Sequence, residues 1–160
     1  MLARGGNAFD AAVAVSAALG VVEPYGSGLG GGGFFLLHRA ADGVDVLIDA
    51  REVAPAAASE GMYLDASGEP LPGASRNGPL AAGIPGLPAA LVHLAENYGR
   101  LPLSESLQPA IRLAEQGFPA YDWHLTRLDR RAENMNLTVV APASSAFWIC
   151  LLYTSDASDE

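Results

Sequence analysis

Five of the six residues in Gly28-Leu29-Gly30-Gly31-Gly32-Gly33 are glycine, and the run leads straight into Phe34-Phe35-Leu36-Leu37. Four consecutive glycines permit backbone angles and close approaches that any side chain would block, at a high cost in chain entropy. A sequence that keeps such a run must press something against its main chain. A phosphate loop is disfavoured, because no Gly-Lys-Ser/Thr follows and the run enters a strand rather than a helix. An oxyanion role has no supporting residue nearby. Close packing of a loop is the reading the residues favour.

The segments around this run set a mixed helix and strand order. Asn7 is suited to cap a helix, with Asp10 in the capping-box position three residues on. Ala11 to Leu19 is apolar nearly all round, so this helix is expected to be buried, with Gly20 ending it. Phe34 to Arg39 and Val44 to Asp49 read as two strands joined at Asp42-Gly43, a strong hairpin signal. The continuous apolar run at Phe34 to Leu37 suggests a strand covered on both faces. Ala56 to Pro85 is small, polar and rich in Gly and Pro, and reads as a surface excursion with a turn at Ser67-Gly68. After Gly83-Ile84-Pro85-Gly86, the spacing of Leu87, Leu91, Leu94 and Tyr98 predicts a helix closed by Gly99. Ser104 is the expected cap of a further helix whose apolar stripe is Leu107, Ala110, Ile111 and Ala114, kinked at Pro109 and ending at Gly117. A last helix is expected over Tyr121 to Ala132, capped by Asp122. The stretch from Cys150 to Glu160 fits nothing before it and resembles a translated sequencing-adaptor tail. Residues 149–160 are accordingly expected to be non-native and are set apart from residues 1–148.

Composition narrows the function classes. Half of the 160 residues are apolar and 17% are charged, as in a well-buried globular protein. Eighteen acids stand against nine bases, for a net charge of -9, and every base is arginine. An acidic chain with no basic run is a poor binder of nucleic acid. No apolar run reaches the length of a membrane span. Cys150 is the only cysteine, so no intrachain disulfide can form and the redox compartment is unreadable. Met1-Leu2-Ala3-Arg4 contains no signal-peptide core, so an export signal, if the parent protein has one, is expected upstream. His38, His93 and His124 share no ligand spacing, and neither a metal nor a cofactor is expected. Ser27 lies between glycines without the Gly-x-Ser-x-Gly frame of a nucleophile elbow and reads as a loop serine. Glu23 and Asp49 could form a carboxylate pair, but nothing sets their separation, and structural roles are the default.

Arg51 is the residue that invites a ligand. It follows the second strand at once, where the backbone is stiff. An arginine there could hold a carboxylate through two oxygens, or it could form a structural salt bridge with Glu52 or Asp49.

Six segments, in order and spacing, resemble the γ-glutamyltransferase (γ-glutamyltranspeptidase) family. They are Gly5-Gly6-Asn7-Ala8-Phe9-Asp10-Ala11-Ala12-Val13-Ala14, Gly20-Val21-Val22-Glu23-Pro24, Gly28 to Phe34, Asp49-Ala50-Arg51-Glu52-Val53-Ala54-Pro55, Gly83-Ile84-Pro85-Gly86 and Leu107 to Ala114. The resemblance covers about residues 1 to 148 and departs at Tyr25-Gly26, where many members have a small or imidazole-bearing pair. It implies an α+β chain that is part of the large subunit of an N-terminal-nucleophile hydrolase, an αββα sandwich whose precursor cuts itself into two subunits. The new N-terminal threonine, activated by its own α-amine, lies downstream of these residues, so no catalytic residue is expected in this chain. The substrate implied is glutathione or another γ-glutamyl compound, whose acyl group passes to water, an amino acid or a peptide. The partner implied is the small subunit of the same precursor. The resemblance assigns Arg51 to the α-carboxylate of the donor and the glycine run to packing beneath the active site. A periplasmic or secreted location of the parent is a further expectation. The alternatives are a cephalosporin or glutaryl acylase of the same superfamily and a non-enzymatic module that holds a small anion on the glycine loop.

Overall fold

The computed structural model of the protein describes residues 1–127. The chain divides into two compact units, Met1–Gly28 with the described residues from His93 onward, and Leu29–Val92. The expected tail, Cys150 and the end of the last expected helix lie outside the described residues.

The first unit is helical. Helix α1 spans Ala8–Val22 and opens with the complete capping box that the sequence predicts. The Asn7 side chain accepts from the N–H of Phe9 (2.9 Å) and Asp10 (3.1 Å), and the Asp10 carboxylate accepts from the N–H of Asn7 at 2.7 Å. The helix does not stop at Gly20. It continues to Val22, and the Glu23 N–H still bonds the Leu19 carbonyl at 2.8 Å. Glycine in a helix costs only about 1 kcal/mol; the firmer stop is Pro24, which disfavours helical angles at Glu23. Helix α3, Leu103–Gln116, packs on α1. The side chains buried on them are mostly small: Val13, Ala14 and Ala17 on α1, and Ser106 and Ala110 on α3. Val15 is exposed, so α1 is not buried all round. The expected stripe on α3 is rotated. Ile111 and Ala114 are exposed, while Leu103, Leu107 and Leu113 are half-buried beside Ser106 and Ala110. Ser104 lies inside α3 rather than capping it; the cap position is Pro102 and no side chain bonds there. The helix runs unbroken through Pro109 and ends at Gly117, whose φ of 77° is left-handed. Residues 122–127 are helical, with the first carbonyl supplied by Tyr121, so Asp122 already belongs to the helix.

The link into α3 is fastened by Asp10. This carboxylate is fully buried and accepts from the N–H of Arg100 and of Leu101, each at 3.1 Å. Asn7 adds a bond from its amide to the Tyr98 carbonyl at 2.7 Å, and Phe9 packs on Tyr98 with ring centroids 5.4 Å apart. One turn of helix thus holds a segment some ninety residues away. His124 is buried among the rings of Tyr25, Phe118 and Tyr121, with Nδ1 3.1 Å from the Val22 carbonyl.

In the second unit, strands β1 (Phe34–Arg39) and β2 (Val44–Asp49) form an antiparallel hairpin with the predicted bounds. The connection is four residues long. Gly43 takes a left-handed φ of 69° and donates to the Arg39 carbonyl at 2.8 Å. Leu37 is buried, whereas Phe34 and Leu36, pairing with Asp49 and Leu47, stand exposed on the opposite face. The apolar run is therefore covered on one face only among the described residues. The excursion after Ala56 is mostly exposed, as expected, and its Ser67-Gly68 turn closes on Asp65.

Helix α2, Leu87–Asn97, contains the boundary between the units. Leu87, Leu91 and Leu94 are buried as the spacing predicts, and Tyr98 follows the helix end. The Gly99 N–H closes the last turn on the Leu94 carbonyl at 2.9 Å. Full burial of Leu94 contributes about 2 kcal/mol.

Candidate functional site

Arg51 sits where β2 gives way to a turn, wholly within the second unit. Its backbone is held from several directions. Ala50 exchanges two hydrogen bonds with Gly33, donating at 2.9 Å and accepting at 3.2 Å. Two residues beyond Arg51, Val53 exchanges a second pair with Ile84, at 2.9 and 3.2 Å. The Leu87 N–H, at the start of α2, bonds the Gly31 carbonyl at 3.1 Å. The glycine run, residues 50–53 and the Gly83 to Leu87 segment are thus laced together by main-chain bonds.

Glycine makes this lacing sterically feasible at two positions. A Cβ on Gly32 would lie 2.8 Å from both the Arg51 Cα and the Glu52 nitrogen, and it would collide with the Ala50 carbonyl oxygen. A Cβ on Gly86 would lie 2.6 Å from the Ala50 carbonyl carbon and collide with the same oxygen. The close packing read from the glycine run is therefore real at Gly32, and what it packs against is the backbone that carries Arg51. Gly86 makes the second approach. The Gly-Ile-Pro-Gly segment signalled a helix start but not this contact.

The Arg51 N–H is left over by both pairs of main-chain bonds. The Asp49 carboxylate takes it at 2.9 Å, so the strand end closes in a side-chain turn. The sequence signal was present, since an aspartate two residues before an unpaired N–H forms such turns readily. The sequence expectation for Asp49, a salt-bridge partner or half of a carboxylate pair with Glu23, does not include this turn. Glu23 belongs to the other unit, and the Asp49 carboxylate bonds the Arg51 main chain, not its guanidinium.

The Arg51 side chain is exposed and makes no hydrogen bond or ion pair among the described residues. The salt bridge to Glu52 or Asp49 that the sequence left open is not formed. Arg39, at the end of β1, behaves differently: it grips Asp42 through two bonds, at 2.6 and 3.2 Å. Arg51 therefore offers a planar cation with several unused donors on a pinned backbone, a combination suited to a carboxylate.

The remaining candidates are dispersed. His38 pairs with Asp45 at 2.7 Å on the exposed hairpin face, and His93 lies near Asn97 and Tyr98 on α2. His124 is enclosed by aromatic rings. Among the described residues no group of three or more His, Cys, Asp or Glu could hold a metal, and no helix is long and apolar enough to cross a membrane. Ser27 bonds the Glu23 carbonyl through its N–H at 2.9 Å, in a turn after α1.

Similarity to known proteins covers the same residues. A sequence-family model described as Gamma-glutamyltranspeptidase matches residues 1–151. The chain is 47% identical over 122 residues to the Glutathione hydrolase proenzyme of Pseudomonas aeruginosa, covering 76% of this chain and 22% of that protein. Among solved structures, it resembles the gamma-glutamyltranspeptidase of Helicobacter pylori with a TM-score of 0.79 and 43% identity, over 82% of this chain and 38% of the other. It resembles a cephalosporin acylase from Bacillus halodurans with a TM-score of 0.72 and 32% identity, over 84% of this chain and 24% of the other. The chain spans about a fifth of the length of the curated relatives it matches. The fold class is the one the resemblance implied: α+β, a piece of an N-terminal-nucleophile αββα sandwich.

Proposed function

Since this chain belongs to the gamma-glutamyltranspeptidase family, we propose that Arg51 binds the α-carboxylate of a γ-glutamyl donor within a complete enzyme of that family. The enzyme transfers the γ-glutamyl group of glutathione, or of a related compound, to water, an amino acid or a peptide. The observation that carries the proposal is an exposed guanidinium, without a partner among the described residues, on a backbone fixed by Gly32, Gly33 and Gly86. The α-carboxylate lies at the far end of the donor from the scissile bond. A rigid two-point grip there sets the distance at which the γ-carbonyl meets its nucleophile. The nucleophile is the N-terminal threonine of the small subunit, released by self-cleavage of the precursor, and the two subunits form a heterodimer. A periplasmic or secreted site of action belongs to the same proposal and is tested by fractionating cells that express the complete gene.

The test uses a full-length relative carrying the same residues at the aligned positions, called the host below. Arg51→Ala is expected to raise KM for a γ-glutamyl anilide by about 30-fold or more, because it removes a charge-assisted pair. Arg51→Lys keeps the charge but loses the fork, and is expected to recover only part of that loss. An unchanged KM in Arg51→Ala would overturn the assignment.

A second reading is favoured by the likeness to the cephalosporin acylase. A glutaryl side chain offers a carboxylate but no α-amino group, and Arg51 could grip either substrate. Assaying the host with a γ-glutamyl and a glutaryl substrate separates the two: γ-glutamyl transfer predicts turnover of the first and little of the second.

A further inference from the structure

We propose that Asp49 is a positioning residue for Arg51, setting the direction of its guanidinium by holding its main-chain N–H. The inference rests on the reading of Arg51 above and extends it by one residue.

The main-chain bonding around Arg51 is uneven. Ala50 is tied on both its N–H and its carbonyl to Gly33, and Val53 on both to Ile84. Between them the Arg51 N–H has no main-chain partner, and the 2.9 Å bond from it to Asp49 Oδ1 is its one bond among the described residues. Gly32 and Gly86 confine the peptide on either side, through Ala50, the Arg51 Cα and the Glu52 nitrogen. They limit where the backbone lies. The Ala50–Arg51 peptide is held at its carbonyl by the Gly33 N–H at 3.2 Å and at its N–H by Asp49 at 2.9 Å, so the Asp49 bond is the second anchor on the rotation that aims the Cα–Cβ bond of Arg51. Without the bond the peptide keeps only its carbonyl anchor, its N–H tilts toward water, and the guanidinium samples directions that miss the carboxylate. Ordering it again on binding weakens affinity. A residue of this kind acts on ground state and transition state alike, so it shows in KM rather than in kcat.

The chemistry of the bond separates this role from a direct one. Asparagine keeps an oxygen at the Oδ1 position and can accept the same N–H, but it carries no charge. A positioning role needs the acceptor; a direct electrostatic role needs the charge. Asp49 is exposed, so neither substitution empties a core.

In the host, Asp49→Ala is expected to raise KM for the γ-glutamyl donor by about 3- to 10-fold with kcat within about twofold. Asp49→Asn is expected to restore KM to within about twofold of the parent. In an Arg51→Ala background, Asp49→Ala is expected to add no further change, since the group it positions is gone. The inference is overturned if Asp49→Ala leaves KM unchanged while Arg51→Ala raises it, an outcome that spares the Arg51 reading. It is overturned too if Asp49→Asn is as damaging as Asp49→Ala, or if the loss from Asp49→Ala persists undiminished without Arg51. An unchanged KM in Arg51→Ala alone removes the reading on which both rest.

Discussion

Asp10 is a buried carboxylate held by main-chain N–H groups rather than by an ion pair. Burial by itself pushes its carboxyl up. The N–H bonds from Asn7, Arg100 and Leu101, with the nearby Arg100 charge, outweigh that and hold it below its ordinary 3.8. The sign of the linkage follows. A carboxyl lowered in the folded state adds stability that is fully present above the unfolded value near pH 4 and is lost as pH falls through the folded value. Asp10→Ala in the host is expected to lower stability at neutral pH by about 3 kcal/mol, because it orphans several buried donors. Thermal melts across pH 2 to 7 check both points, as the substitution should also flatten the acid limb of the stability curve. At Tyr25, the hydrogen bond with Tyr121 is the main cause that pushes the phenol up to about 12, with burial and the Glu23 charge adding to it. Tyr121→Phe is therefore expected to lower the Tyr25 titration midpoint in an ultraviolet difference spectrum.

At the scale of elements, glycine does two separate jobs, and substitution can tell them apart. Gly43 needs a left-handed φ of 69° but has open space where a Cβ would point. Gly86 is not strained in φ, yet a Cβ there would strike the Ala50 carbonyl. Gly43→Ala in the host is expected to cost about 1 kcal/mol through backbone strain, and Gly86→Ala about 2 to 3 kcal/mol through overpacking. Unfolding in urea measures the difference; equal losses would contradict the close approach at Gly86. The same distinction shows what a linear reading can reach. The hairpin bounds and the capping box at Asn7 were legible because local residues decide them: β-rich runs flanking Asp42-Gly43, and an Asn with an acid three residues on. Gly20 does not stop its helix and Ser104 does not cap one, because residue type alone does not set a helix end. Pro24 and Pro102 decided those ends. The rotated stripe on α3 and the open face of β1 follow from what each element packs against, which spacing does not encode. Arg51 is legible as a residue. Its clamp is not, since Gly32 and Gly86 meet its backbone only through tertiary contact.

At the scale of the whole molecule, the chain spans about a fifth of its curated relatives, and the proposed division of labour assigns it recognition rather than bond cleavage. A purified protein of these 160 residues is accordingly expected to release no product from a chromogenic γ-glutamyl anilide. Clear turnover would place a nucleophile within the chain and contradict that division. The exposed Phe34, Leu36 and Leu47 on one face of the hairpin belong to the same picture of a piece whose apolar surface is not satisfied within the described residues.

A crystal structure of the host with a γ-glutamyl compound bound tests the central claim most directly. The account predicts two guanidinium nitrogens of Arg51, each about 2.7–2.9 Å from an α-carboxylate oxygen, with the Asp49 bond to the Arg51 N–H intact. A donor whose carboxylate is held by other groups, with the Arg51 guanidinium pointing into solvent, would contradict it.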